Sequence, residues 1–290
     1  MTKNHLNEQI KNYIMEIPSL PVSVGKALEI CNNASANPSD LNSVISLDPV
    51  LTARLLKMIN SAYYGLGTHI TSLIRAITML GINTVKNLVL STAVLSTLPK
   101  NKTKDGLDME GFWHHCLCVG VTSKLLAIKQ GVDSKYLEEY FAAGLLHDLG
   151  KIPLNAVLAS EYVNMITIAD RSNKSLLAVE NEISDINHCT AGEMIAAAWK
   201  LDSSISDVIS YHHNIDGYSG NNSKVLYNVA IANYLSLVYE VGFAGDRKPE
   251  KPKKFVWDAI GLNEEVFIEI MEKLYSEIER AKVFLRSPLM

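Results

Sequence analysis

The chain has little that would tie it to an oxidising compartment, a membrane or a nucleic acid. Cysteine is scarce: four in 290 residues (Cys31, Cys116, Cys118, Cys189), with no Cys-x-x-Cys pair. That is too few for a disulfide framework and fits reduced thiols in a cytoplasm. Basic charge is not in excess. Twenty-seven Lys and Arg face 31 Asp and Glu, a formal charge of −4, whereas a nucleic-acid binder presents a basic face. No uninterrupted apolar run approaches the roughly 20 residues that span a bilayer. The N-terminal MTKNHLNEQIKNYIMEIP lacks the apolar region of a signal peptide. Clean two-residue alternation is hard to find, which leaves little for β-strands. The expectation is a cytoplasmic protein that engages neither membrane nor nucleic acid.

What is present is helical patterning. Hydrophobic residues make up 48% of the chain, enough for a core. Leu6, Ile10, Tyr13 and Ile17 recur every three or four residues. Asn37-Pro38 and Asp48-Pro49 put a capping residue before a proline suited to the first helical position. Asn263 followed by Glu264 and Glu265 places negative charge at a helix start. An all-α protein of about a dozen or more helices follows. The polar stretch Pro99 to Asp108 reads as a linker. It divides an N-terminal helical subdomain (1–100, linker 101–109) from a second one (110–245), followed by a C-terminal loop and helix (246–290). The run RKPEKPKK (247–254) reads as a solvated connector, because two prolines break any helical face.

Six of the eight histidines (His114, His115, His147, His188, His212, His213) fall between residues 114 and 213. Several sit in apolar stripes. His212 continues Ile205, Val208 and Ile209; His188 shares a face with Ala191, Gly192, Ile195 and Trp199; Asn233 lies amid Leu226, Val229, Ala230 and Leu237. His115 aligns with Val119, Thr122 and Leu126, and His114 equally well with Cys118, Val121 and Leu125, so periodicity does not choose between them. A buried polar group without a partner costs about 1–3 kcal/mol. Four helices aiming such groups inward would be satisfied together at one metal site, since neutral imidazole is a common ligand. In Gly144-Leu-Leu-His-Asp-Leu-Gly-Lys151, His147 and Asp148 lie beside the core face Leu137, Phe141, Leu145 and Leu149, with Gly144 leaving space one turn earlier and Gly150 placed to end the helix. A carboxylate next to an imidazole binds metal ions, and a nearby lysine holds a phosphate oxygen. A zinc site using Cys116, Cys118 or Cys189 is conceivable, but packing is the commoner fate of such residues.

At this segment the sequence resembles the HD superfamily of metal-dependent phosphohydrolases, and more closely its HDOD branch of bacterial signalling proteins. The N-terminal match is carried by IPSLPVSVGKALEI (17–30), SLDPVLTARLLKMINSAYYG (46–65) and SLIRAITMLGINTVKNLVL (72–90). The C-terminal match is carried by FWHHC (112–116), AAGLLHDLGKIPL (142–154), NHCTAGEMIAAAW (187–199) and ISYHHN (209–214). The resemblance implies an HD-type helical bundle preceded by an N-terminal helical subdomain. It implies metal ligands at His115 (through Trp-x-His), His147, Asp148, His188, His212 and His213, and a phosphate-contacting role for Lys151. Asn233 falls where a final metal-binding aspartate is expected. The His-His pair continues as Asn214-Ile215-Asp216-Gly217-Tyr218-Ser219, without the Gly-Tyr-Pro of the HD-GYP phosphodiesterases. The implied function is a regulatory module that binds a protein partner or small ligand, with one or two divalent ions (Fe, Mn, Zn, Ni or Mg) in a functional or vestigial site. The alternative is a metal-dependent phosphohydrolase, in which Asp148 and Lys151 would be catalytic and the ligand phosphate-containing. In the first case Tyr63 and Tyr64 would face a partner or the core.

Overall fold

A computed structural model describes residues 3–33, 35–98 and 106–285. Among these, every regular element is helical: α1 (Lys3–Glu16), α2 (Val22–Cys31), α3 (Pro38–Ile45), α4 (Pro49–Ile59), α5 (Leu73–Leu80), α6 (Ile82–Thr97), α7 (Met109–Lys129), α8 (Leu137–Leu146), α9 (Lys151–Ser172), α10 (Leu176–Ile183), α11 (His188–Ala198), α12 (Ser203–Tyr211), α13 (Ser223–Val238), α14 (Lys254–Ile260) and α15 (Glu264–Ala281).

The starts expected from the sequence are capped as local chemistry dictates. The Asn37 side chain accepts from Ser39 and Asp40 backbone N–H groups, and Asp40 returns the bond, completing a capping box. Asp48 accepts from Leu51 N and Asn263 from Val266 N. Most of the proposed linker (99–105) lies outside the described residues. Its last part is ordered: Leu107 is buried, its N–H donates to Asn155 Oδ1 at 2.6 Å, and Asp108 caps α7.

The framework centres on α7 and α8, with α13 and α15 against α7 and α6 and α12 against α8. Close crossing of α7 and α8 depends on two glycines. A Cβ on Gly144 would sit 2.7 Å from Gly120 Cα, so Gly144 brings two backbones together rather than opening space beside His147. Helix α1 does not pack with its sequence neighbours. It lies on α9 and α11, where Asn7 Nδ2 donates to Asp185 at 2.9 Å and Asn7 Oδ1 accepts from Ser184 Oγ at 2.9 Å. Tyr63 and Tyr64 pack in an aromatic cluster with Phe141 and Phe284 rather than standing free, and Lys124 donates to Tyr63 Oη and pairs with Glu138.

The lack of an uninterrupted apolar run does not preclude a helical stretch of membrane length. The helical stretch Ser134–Ser172 contains an 18-residue window of mean hydropathy 1.2, long and apolar enough to cross a bilayer. Half of that window is buried inside the protein. Its apolarity reflects the central core position of α8 and α9, as interior helices require.

Candidate metal centre

The segment read as one helix through His147, Asp148 and Gly150 is broken. Helix α8 ends at Leu146, residues 147–150 form a turn, and α9 starts at Lys151. Gly150 therefore caps the start of α9 rather than ending the helix before it. Pro153, in the first turn of α9, has no N–H to donate to Leu149 O, so α8 cannot run on into α9, and the approach of α11 shapes the turn. A Cβ at Gly150 would collide with the His188 carbonyl and the Gly192 nitrogen of α11. The turn thrusts Asp148 into the interior, where its side chain is 1% exposed.

Four imidazoles surround that carboxylate. His115 Nε2 and His147 Nε2 lie 3.8 and 3.3 Å from Oδ2, and His188 Nε2 and His212 Nε2 lie 3.7 and 3.5 Å from Oδ1. His213, half-buried, joins Asp148, His188 and His212 in one group whose donor atoms lie within 4.8 Å of one another. His115, His147 and Asp148 form a second such group. Asn233 is buried, reaches His115 with its side chain, and lines an adjoining cavity. Five sequence-predicted histidines thus meet at the sixth predicted ligand, Asp148, with Asn233 at the edge. His114 belongs to neither group, and no cysteine does, among the described residues. Burial raises the Cys116 thiol well above its ordinary range and Cys118 to about 11, as expected of packed, inert thiols.

The outer ring nitrogens orient the inner ones. His147 Nδ1 is 2.7 Å from Gly144 O, and His212 Nδ1 is 3.0 Å from Val208 O. A carbonyl only accepts, so both Nδ1 atoms carry the proton and Nε2 is left with a lone pair. His115 Nδ1 is 3.1 Å from Ser236 Oγ, which itself donates to Val241 O, so His115 is held the same way. His188 Nδ1 donates to Glu180 Oε2 at 2.6 Å. His147 Nε2, His188 Nε2, His212 Nε2 and both Asp148 oxygens have no hydrogen-bond partner. The lone pairs of His147 Nε2, His212 Nε2 and Asp148, aimed at one another in a dry interior, repel, and a cation between them removes the conflict. Donor atoms around one ion at about 2.1 Å lie no more than about 4.2 Å apart, close to the observed spread. The donor set therefore fits a metal ion.

Charge is arranged to match. Burial, with the nearby His147 ring, pushes His115 down to about 3 and His212 down to about 4. Burial beside His212 and His188 lowers His213 as well. Burial alone would raise Asp148, yet the neighbouring His147 and the Lys151 ammonium hold it well below the usual carboxylate range. Burial also disfavours a charged His188, but the Glu180 carboxylate overrides this and raises it. Lys151 Nζ sits 2.8 Å from Asp148 Oδ2, without hydrogen-bond alignment, and donates to Ala244 O at 3.0 Å.

The residue that sequence reasoning missed is Glu180. It is buried on α10, accepts from His188 Nδ1 and backbone N, and takes the Tyr162 hydroxyl at 2.7 Å. An ionisable side chain beside Val179 in the buried face of a short helix was the one available signal.

A cavity of about 180 Å³ adjoins the centre, reached past His212, His213 and Asn233. The 247–254 run is largely solvent-exposed, as a connector should be, and also lines part of this cavity: Arg247 pairs with Asp170, Lys253 pairs with Asp216, and Lys248, Glu250 and Lys251 are among the lining residues.

The family profile of the HDOD domain matches residues 17–215. The chain belongs to the HDOD domain family. An HDOD domain protein of unknown function from Geobacter sulfurreducens has the same architecture, with a TM-score of 0.77 at 23% identity over 98% of this chain and 99% of that one. A "Putative phosphohydrolase" from Shewanella amazonensis SB2B superposes with a TM-score of 0.71 at 21% identity, covering 96% and 98%. A "Putative signal transduction protein" from Marinobacter aquaeolei VT8 gives 0.71 at 18%, covering 98% of this chain and 66% of that one. At these identities the shared property is the all-α HDOD fold. An uncharacterised protein of Treponema pallidum is 25% identical over 228 residues, and the matched region is 44% of that protein's length.

Proposed function

We propose that this HDOD protein is a cytoplasmic signalling module whose buried His/Asp centre holds one or two divalent metal ions and which acts by binding a partner or small ligand rather than by turnover. The observation that carries the metal is the set of orphaned nitrogens aimed at Asp148 from separate elements. Five imidazoles and one carboxylate suit Mn, Fe, Ni or Zn better than Mg, which prefers oxygen. Two features argue against turnover. Asn233 brings a neutral amide where the family resemblance expects a carboxylate. Lys151 is buried and committed to Asp148 and the Ala244 carbonyl, not turned toward the cavity. The relatives' names, spanning signal transduction and phosphohydrolase, fit either role.

The second reading is a metal-dependent phosphohydrolase, and the cavity beside His212, His213 and Asn233 favours it by giving a small phosphoester access. A bound ion would supply Lewis acidity and an activated water there. Asp148, His188, His212 and His213 would hold the ion, and Lys151 would hold Asp148. A screen of nucleotides and phosphoesters with Mn, Fe or Zn separates the two. Metal-dependent hydrolysis abolished by Asp148→Ala overturns the binding-module reading. Stoichiometric metal without turnover supports it.

A further inference from the structure

We propose, on the reading that the centre binds metal, that its two halves are unequal. The resident ion belongs on the Oδ1 side of Asp148 with His188, His212 and His213; Glu180 is the positioning residue behind His188; and the Lys151 ammonium takes the place of a cation on the Oδ2 side.

The two sides differ in what stands behind their imidazoles. On the Oδ1 side, Glu180 accepts His188 Nδ1–H at 2.6 Å and His188 N–H at 3.0 Å through one oxygen, and the Tyr162 hydroxyl at 2.7 Å through the other. All three residues are buried. A carboxylate behind a ligating histidine fixes the ring and strengthens it as a donor. It also adds a second negative charge next to the one on Asp148. On the Oδ2 side the supports are neutral: the Gly144 carbonyl behind His147, the Ser236 hydroxyl behind His115, and the Asn233 amide beside it. There the carboxylate already has a cation. Lys151 Nζ lies 2.8 Å from Oδ2 and is anchored by Ala244 O at 3.0 Å, with its side chain 4% exposed. A metal ion added on that side would share one carboxylate oxygen with an ammonium and meet like-charge repulsion in a poorly screened interior. Three imidazoles plus Asp148 already make four ligands on the other side, a complete set for one ion.

The test is calorimetric titration of chelator-stripped full-length protein with ZnCl2 or MnCl2, checked by elemental analysis. Wild type is expected to take up one equivalent. Glu180→Gln is expected to bind it 10–100-fold more weakly, while His115→Ala binds within about threefold of wild type and His188→Ala loses it. Lys151→Met is expected to gain a second equivalent. Melting of the stripped proteins separates metal loss from misfolding. Should Glu180→Gln not fold, Tyr162→Phe, which removes one bond to the same carboxylate, is expected to weaken binding several-fold. Two equal equivalents in wild type, an unchanged affinity in the folded Glu180 or Tyr162 variant, or loss of the ion in His115→Ala overturns the inference while leaving the metal reading intact. No uptake by wild type overturns both.

Discussion

Replacing Asp148 by asparagine tests two consequences of one arrangement. Asp148 and Lys151 are both nearly inaccessible, and Nζ lies 2.8 Å from Oδ2. Without the carboxylate charge, the Lys151 ammonium is left with neutral acceptors only, Ala244 O and the amide oxygen of the new side chain. Breaking one partner of a buried pair costs about 3–5 kcal/mol. At about 2–4 °C per kcal/mol for chains of roughly this size, the metal-free variant should melt on the order of ten degrees below wild type. The second consequence concerns metal. With free ion at about 100 times Kd, wild type gains about 2.7 kcal/mol and melts roughly 5–10 °C higher. The variant should gain nothing. Asp148→Asn/Lys151→Met removes the stranded charge as well, so it should recover much of the metal-free stability without recovering the metal response. The assay is circular-dichroism melting in chelator and in excess Zn or Mn. A retained metal-induced rise in Asp148→Asn, or a double variant no more stable than the single one, would refute the reasoning.

Three further outcomes follow from the geometry. His115 and His212 have folded pKa values of about 3 and about 4, below the unfolded 6.5, so unfolding takes up protons and metal-free stability falls as pH drops from about 6.5 toward 4; a melting temperature that stays level over pH 7 to 4.5 counts against neutral buried imidazoles. Gly150→Ala forces α9 away from the His188 carbonyl and should cost about 3 kcal/mol or more in urea unfolding, with weakened metal binding; an unchanged midpoint would show that this crossing tolerates a methyl group. Asn233→Asp adds a carboxylate beside His115 at the cavity edge and should introduce uptake of a second equivalent on the Oδ2 side, which wild type lacks; calorimetry still showing one equivalent would mean that a charge at position 233 does not offset the Lys151 ammonium.

The parts of the fold legible in the sequence are those governed by local chemistry. Asn37, Asp48 and Asn263 cap helices because an Asx side chain reaches amides two or three residues on, wherever the helix later packs. The inward polar positions His188, His212 and Asn233 were readable from periodicity, while the choice of His115 over His114 needed the family pattern. The misses are tertiary. The break at His147–Gly150 has a local cause in Pro153, but the approach of α11 that demands a glycine at 150 is in no helical wheel. Glu180 meets His188 because the turn between α10 and α11 folds back, held by Asn7 of a helix nearly 180 residues earlier. The lysine-rich run at 247–254 has the composition and the exposure of a connector, and its place beside the cavity is what composition does not contain.

The central claim is that the imidazoles around Asp148 hold a metal ion. Its most direct test is X-ray absorption spectroscopy with elemental analysis on protein purified without chelator and reconstituted with Fe, Mn or Zn. The account predicts at least one ion per chain, with imidazole nitrogens and a carboxylate oxygen at about 2.0–2.2 Å. Protein that stays metal-free through reconstitution, with a melting temperature indifferent to chelator, would contradict it.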